Sequence, residues 1–482
     1  MIDLDNNGSS GNSVVNFGRG WAIIFYCMAM FWFYVGFVND GSNITAPAVA
    51  ERIGVQSGTV LTCNSIAGVV GVGLFILVGQ INRRIGPRKT SGICMIVAGL
   101  CYIIIGNAPN LVVYTIGMCF VAGGIMSAGY IAGGTLVATW FPKKKGIVMG
   151  YTTMGHNLAS AFYVPLITLL VNHLGINIAV IFPGVAVCVL AVLGFLFIRN
   201  TPQERGMYPD NVTEDEFNND YVNDEEADNN DSGWTTKKLL TNKSLWQVAV
   251  CTGFFQICSV GVMSQLVVRN MELGFTQIQA TSIMTVLACI GVFGSFIIGM
   301  LDDRFGTKRT MIAFGFWYIA ALVCNITNTT FGTYISIFMI GMAIGGSANF
   351  TTSLPTSVFG RQGFDKVNSV LFPIQGLFTS LCFAVNGIVL NITGSLRYAY
   401  IVFACVAGIN VILITRVDEH RYNQDYRKEQ AIRARTQELI QEITDRVRQE
   451  LDEELKAEGL IGVGASDTEM KTNEKKASDG ET

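Results

Sequence analysis

Polar side chains are sparse inside the long apolar runs of this 482-residue chain, so the few that fall deep within them carry its candidate chemistry. His156 lies eleven positions after Lys145, and Tyr130 lies ten positions before Trp140. Gln375 follows Lys366 by nine positions, and Ser295 precedes Asp303 by eight. At 1.5 Å per helical residue, ten positions from a basic loop reach roughly 15 Å deep, the centre of a hydrocarbon core about 30 Å thick. Gln256, Asn349 and Tyr34 fall somewhat further out. Polar groups at such depth are expensive and mark solute or proton pathways, although an amide or hydroxyl there also commonly just bonds a neighbouring helix, for about 0.6 kcal/mol. An imidazole titrates near neutrality and can donate to an anion or carry a proton, which sets His156 apart. Asp40 and Arg269 fall near the outer ends of their runs, where snorkelling makes charge cheap, and read as interfacial.

Other chemistries lack their residues. No GxxxxGK[ST] loop occurs, so nucleotide drive is not expected. The glycines Gly68, Gly71, Gly73, Gly123, Gly124, Gly133 and Gly134 lie inside apolar runs, where small residues let helices approach closely. The twelve cysteines form no CxxC pair, and neither HExxH nor a clustered His/Cys spacing appears. With no nucleophile–base set either, the chain reads as no enzyme, with no cofactor, no metal and no nucleic-acid partner.

These side chains need a membrane fold to position them. The chain is 50% hydrophobic and 14% charged, against about 25% charged residues in soluble domains. Breaks at Gly, Pro, Asn and charge clusters predict spans near 20–39, 58–80, 87–106, 110–139, 146–172 and 176–199. A second set falls near 245–268, 278–301, 309–328, 331–358, 366–393 and 396–416. The first run is too long for a signal peptide and lacks a small-residue cleavage site. The even-to-odd loops carry Arg83, Arg84, Arg88, Lys89, Lys143, Lys144, Lys145, Arg304, Lys308, Arg309, Arg361 and Lys366, whereas the opposite loops carry Arg52, Arg269 and Arg397. Basic residues in short loops stay on the cytoplasmic side, so both termini are expected inside, in the plasma or inner membrane.

The expected organisation is a cytoplasmic tail over 1–19, a six-helix bundle over 20–199, a cytoplasmic linker over 200–244, a second bundle over 245–416 and a charged tail over 417–482. Within the linker, the acidic Asn-rich run Asn218 to Asp231 cannot bury enough apolar surface to fold alone. In the tail, Ile432, Leu439, Ile440, Ile443, Val447, Leu451 and Leu455 recur at mostly helical spacing among charges, which predicts an amphipathic helix followed by a disordered end.

The chain repeats itself. Gly79-Gln-Ile-Asn-Arg83-Arg84-Ile-Gly86-Pro-Arg88-Lys89 returns 220 residues later as Gly299-Met-Leu-Asp-Asp303-Arg304-Phe-Gly306-Thr-Lys308-Arg309. Both copies resemble the GxxxDRxGRR loop of the major facilitator superfamily, at the two places that family uses. The resemblance implies an all-α membrane protein of twelve transmembrane helices in two pseudo-symmetric bundles, with substrate at the midplane between them. It also implies gating roles for Gly79, Arg83, Arg84, Gly86, Arg88, Gly299, Asp303, Arg304, Gly306 and Lys308. Asp303 would pair with cationic or helix-terminal groups to stabilise an outward-open state, while the first copy departs from the pattern by carrying Arg83 in the acidic place.

Two further stretches are similar to the oxalate:formate antiporter and monocarboxylate transporter branch: Gly123-Gly124 through Tyr130 to Trp140-Phe141-Pro142-Lys143-Lys144-Lys145-Gly146, and Gly345-Gly346 through Pro355 and Phe359-Gly360 to Asn368-Ser369. That branch carries an Arg in helix 8 and a Lys in helix 11 thought to bind substrate carboxylates. Here Ser295 stands in the first place, and Gln375 is the nearest polar candidate in the second helix. Desolvating two charges without a fixed cation costs several kcal/mol each, so the expected solute is an organic monocarboxylate or a neutral molecule, moved by a single chain with proton coupling or exchange. A drug transporter and a non-transporting receptor are the competing readings.

Overall fold

The computed structural model describes residues 17–214, 216–217, 234–360 and 364–457, and the described residues are helical with no strand. Among the described residues, eleven helices are long and apolar enough to cross a membrane. In chain order the spans are α1 Gly18–Asn39, α2 Ser57–Ile85, α3 Pro87–Gly106, α4 Leu111–Trp140, α5 Lys145–Ala179 and α6 Ile181–Phe197, the shorter one. They continue with α7 Lys243–Met263, α8 Gln277–Phe305, α9 Thr307–Ile326, α10 Thr330–Phe359, α11 Phe364–Thr393 and α12 Arg397–Thr415. The boundary between α5 and α6 is physically earlier than the helix bounds suggest. Gly175 breaks the ladder with φ +73°, so the apolar stretch 176–197 forms the twelfth crossing, as the sequence pattern predicts.

Starts and stops follow local chemistry. Asn110 accepts from the Val113 N–H at the head of α4 (3.0 Å), and Asn242 and Thr329 cap α7 and α10 in the same way. Thr276 and Gln279 make a reciprocal capping box at the start of α8. Each side chain satisfies one of the donors that a helix leaves open at its first turn. Large apolar side chains such as Phe293, Phe296 and Ile392 are exposed, the lipid-facing exterior of a multi-pass membrane protein.

Two spans break on the face away from the basic loops and continue as short helices. After α1 the chain turns at Asp40 and Gly41 into Ser42–Ile53, and after α7 it turns at Ser264 and Gln265 into Leu266–Glu272. The predicted span 245–268 runs into the second short helix, whereas the predicted span 20–39 stops before the first. The first and last six spans meet through α2 against α11 and α5 against α8. Glycine makes the first contact possible: a Cβ on Gly58 would lie 2.4 Å from the Gly387 carbonyl, and one on Gly68 would lie 2.4 Å from Ser380 Oγ.

The two copies of the repeated loop take the same backbone form. Gly86 has φ 82°, ψ 160° and Gly306 has φ 85°, ψ 153°, a region essentially reserved for glycine.

The residues after Arg416 include α13, Gln424–Ala457, a 34-residue helix in a structural unit of its own. The expected disorder of Asn218 to Asp231 and of the last twenty residues lies outside the described residues, as does Arg361. Part of the predicted linker is ordered: the Asp210 carboxylate accepts from the Lys143 and Lys144 backbone N–H groups at 3.0 and 3.1 Å.

Substituting Gly306→Ala forces a Cβ into the glycine-only region and lowers stability by about 1–3 kcal/mol. A thermal-unfolding midpoint equal to that of the natural protein would count against this strain.

Candidate functional site

Three of the deep polar residues converge. Tyr34 of α1, Tyr130 of α4 and His156 of α5 surround Phe31: the His156 and Tyr130 rings each lie 4.9 Å from it, edge to face. Tyr34 lies 5.6 Å from Tyr130 and 6.2 Å from His156. From the other half, Phe372 of α11 approaches Tyr130 at 6.0 Å. His156 Nε2 is buried and makes no hydrogen bond. Buried polar atoms are nearly always paired, and this open imidazole nitrogen lies among aromatic faces.

The backbone around these residues is irregular in a consistent way. Tyr34 precedes the π-helical turn Val35–Asn39, Tyr130 sits inside the π-helical stretch Ser127–Gly133, and His156 comes shortly before the π-helical turn Ala159–Tyr163. Widened turns of this kind are rare and concentrate at functional positions. Sequence periodicity carries no signal for them.

The other four candidates are engaged elsewhere. Gln375 donates to Thr252 Oγ1 of α7 (2.8 Å), Gln256 donates to the Ser347 carbonyl of α10 (3.1 Å), and Asn349 donates to the Ser295 carbonyl of α8 (3.1 Å). Ser295 packs its hydroxyl against Gly345, where a Cβ would lie 1.4 Å away. All four therefore join helices within the second half.

On the face away from the basic loops the halves are clasped through the break in α7. In an unbroken helix the Val267 N–H would bond to the Met263 carbonyl; instead the Asn43 amide occupies the gap, donating to the Met263 carbonyl and accepting from the Val267 N–H, both at 2.8 Å. Ser42 adds a bond to the Ser264 carbonyl at 3.1 Å. Asn172 with Gln277, Thr285 with the Ala161 carbonyl and Asn391 with Thr59 complete the hydrogen bonds between halves among the described residues, and all lie on this face.

Two expectations about charge are corrected here. Asp40 and Arg269 do not snorkel: they are 4% and 2% exposed. Asp40 accepts a hydrogen bond from Ser160, one turn beyond His156 on α5. Arg269 bonds Asn325 Oδ1 at 2.8 Å, Asn328 at 2.5 Å and Glu272 at 3.0 Å, tying the short helix after α7 to the end of α9. Charges at span ends look interfacial in a sequence because the short helices that cover them are not visible there.

The repeated loops act within their own halves. The Arg88 N–H donates to Asn200 Oδ1 (3.0 Å) and its guanidinium to the Phe195 carbonyl. In the second copy the Lys308 N–H donates to Glu419 Oε1 (3.0 Å) and its ammonium to the Val417 carbonyl (2.8 Å). In each half, then, the residue just past the sixth helix caps the third, and the motif's base bonds the end of the sixth. Asp303, Arg304, Arg83 and Arg84 are exposed, and Asp303 makes no hydrogen bond or ion pair among the described residues.

The model of the Major Facilitator Superfamily matches residues 20–364 and 248–451. The chain belongs to this superfamily. It is similar to the oxalate:formate antiporter of Oxalobacter formigenes, 25% identical over 74% of this chain and 81% of that one. The glycerol-3-phosphate transporter of Bacillus subtilis is also 25% identical, over 64% of this chain and 70% of the other. Among solved structures, a D-xylose–proton symporter superposes with TM-score 0.62 at 11% identity, covering 84% of this chain and all of that one. A bacterial homolog of the human lysosomal transporter Spinster, in an inward-facing unoccupied form, gives 0.58 at 14% identity over 86% and 97%.

In this superfamily member a single side chain, Asn43, makes both bonds that span the break in α7. Asn43→Ala leaves the Met263 carbonyl and the Val267 N–H unpaired, a loss of about 1–3 kcal/mol. Thiol labelling at a Ser264→Cys reporter is expected to speed up in the Asn43→Ala background, and an unchanged rate would rule the clasp out as a closure.

Proposed function

We propose that this protein is a secondary active transporter that carries a small organic monoanion, a monocarboxylate with an apolar body, by alternating access with proton coupling or exchange. The observation that carries this reading is the open His156 Nε2, buried beside Phe31, Tyr34 and Tyr130 and approached from the opposite half by Phe372. One imidazole can donate to one carboxylate, while the surrounding rings provide apolar faces for the rest of the solute. Neither α8 nor α11 supplies a cation at comparable depth, which disfavours a dianion. The similarity to transporters of oxalate, formate and glycerol-3-phosphate supports an organic anion as the solute class.

Placing the basic loops in the cytoplasm makes the clasped face the outer one and the described conformer inward-facing. On that reading Asp303 is exposed because its latch belongs to the other state.

A neutral solute is the second reading, favoured by the same aromatic faces. Uptake into proteoliposomes decides between them: a monocarboxylate is expected to drive counterflow, and its uptake to rise with an inward proton gradient or with a preloaded anion. His156→Ala removes a hydrogen bond to a charged group worth about 1.5–3 kcal/mol, so apparent affinity falls roughly 10- to 100-fold. Gln375→Ala, which breaks only an interhelical bond, leaves affinity within about threefold. Full proton-coupled uptake by the His156→Ala protein removes His156 from the mechanism, and failure of every solute to drive counterflow favours a receptor.

A further inference from the structure

The helix α13 carries an apolar stripe that the transport reading leaves unused. Ile432, Ile440, Ile443, Val447 and Leu451 are 52–66% exposed. The stripe repeats at eleven residues: Ile432 returns as Ile443, Thr436 as Val447, and Ile440 as Leu451. Eleven residues over three turns is 3.67 per turn, close enough to the helical 3.6 that the stripe runs almost straight along the axis and can meet a second helix over its length.

Charge selects the occupant. Residues 424–436 contain four bases and two acids, and residues 437–457 contain three bases and seven acids. That polarity opposes the helix dipole, which favours acids near the N-terminus and bases near the C-terminus. An antiparallel copy of the same helix corrects it. Centred between Ile443 and Thr444, such a pair sets Arg433 and Arg435 beside Glu453 and Glu454 and Arg446 and Arg448 beside Glu438 and Glu442, while Ile440 faces Val447 and Thr436 faces Leu451. In parallel register Arg433 and Arg435 would face their own copies, and so would the acids, an arrangement that like-charge repulsion rejects. A membrane surface fits less well, since helices that lie on lipid carry mainly Lys and Arg on the polar face.

We propose that α13 is a homotypic docking element that pairs antiparallel with the α13 of a second copy of this chain, joining two complete membrane units through their tails. The single-chain expectation then holds for the transport path and not for the assembly.

Light scattering of the full chain in detergent micelles tests the pairing. The natural protein is expected to show the mass of two chains, and Ile440→Glu with Ile443→Glu to halve it while leaving proteoliposome uptake unchanged. Arg433→Glu with Arg435→Glu is expected to give one chain, as is Glu453→Arg with Glu454→Arg, and the four changes together are expected to restore two. Only a self-complementary antiparallel pair produces that rescue. A one-chain mass for the natural protein overturns the proposal, as does a two-chain mass unmoved by the Ile440→Glu/Ile443→Glu variant or a charge swap without rescue. If the natural one-chain protein instead binds vesicles of anionic lipid through residues that the same variant removes, the stripe belongs to the membrane and the pairing is wrong.

Discussion

A helix that breaks inside a membrane leaves a carbonyl and an N–H with no water to receive them, and each unsatisfied group there costs several kcal/mol. In α7 the Asn43 side chain from the opposite half takes both. A primary amide presents an N–H donor and a carbonyl acceptor side by side, as a peptide group does, so it fills the gap in the ladder, and its second N–H donates to the Asp40 carbonyl at 2.8 Å. The price of breaking α7 is therefore recovered only while the two halves are together on that face. Much of the rest follows: α1 turns at Asp40 so that Ser42 and Asn43 can reach across, and Ser160 holds the turning carboxylate against α5.

The same line of contacts links the clasp to the candidate site. Ser160 and His156 are four residues apart on α5, hence on one face of the helix, with the Ser160 hydroxyl 3.4 Å from the His156 carbonyl. Tyr34 is likewise one short stretch below the turn at Asp40. A solute that bonded His156 Nε2 and pressed on Tyr34 would act on two segments that also carry the clasp, which is the coupling that alternating access between two faces demands.

The fold was legible where it is written in apolar length and in glycine, basic and capping residues. The spans, the break near Gly175 and the repeat at 220 residues all came from such patterns, and the superfamily membership that the repeat suggested holds. Depth counting placed His156, Tyr130, Gln375 and Ser295 near the midplane and Tyr34, Gln256 and Asn349 somewhat further out, because depth depends only on helical rise. It could not tell which way a side chain faces around the axis, and so did not separate Tyr34 and Tyr130 from Gln256, Ser295, Asn349 and Gln375, which turn toward neighbouring helices. The π-helical turns and the insertion of Asn43 were invisible because each depends on a partner more than a hundred residues distant or on a backbone irregularity with no residue signature.

The glycine contact between α2 and α11 has a mechanical consequence. Where Gly58 meets Gly387 the backbones approach closely with the Asn391 and Thr62 side chains packed at the same spot, and further along Ser380 lies over Gly68 while Val72 and Met126 lie against Gly376. Two helices brought this close by glycine with mostly short side chains interlock less deeply than large side chains would, and so have less to disengage when one turns against the other. This seam is thus suited to serve as an axle, with the bonded clasp on one side of it and the basic loops on the other. Because the capped loops bind the third and sixth helices of each bundle together, a small roll at the axle would be transmitted to the basic face as movement of whole bundles.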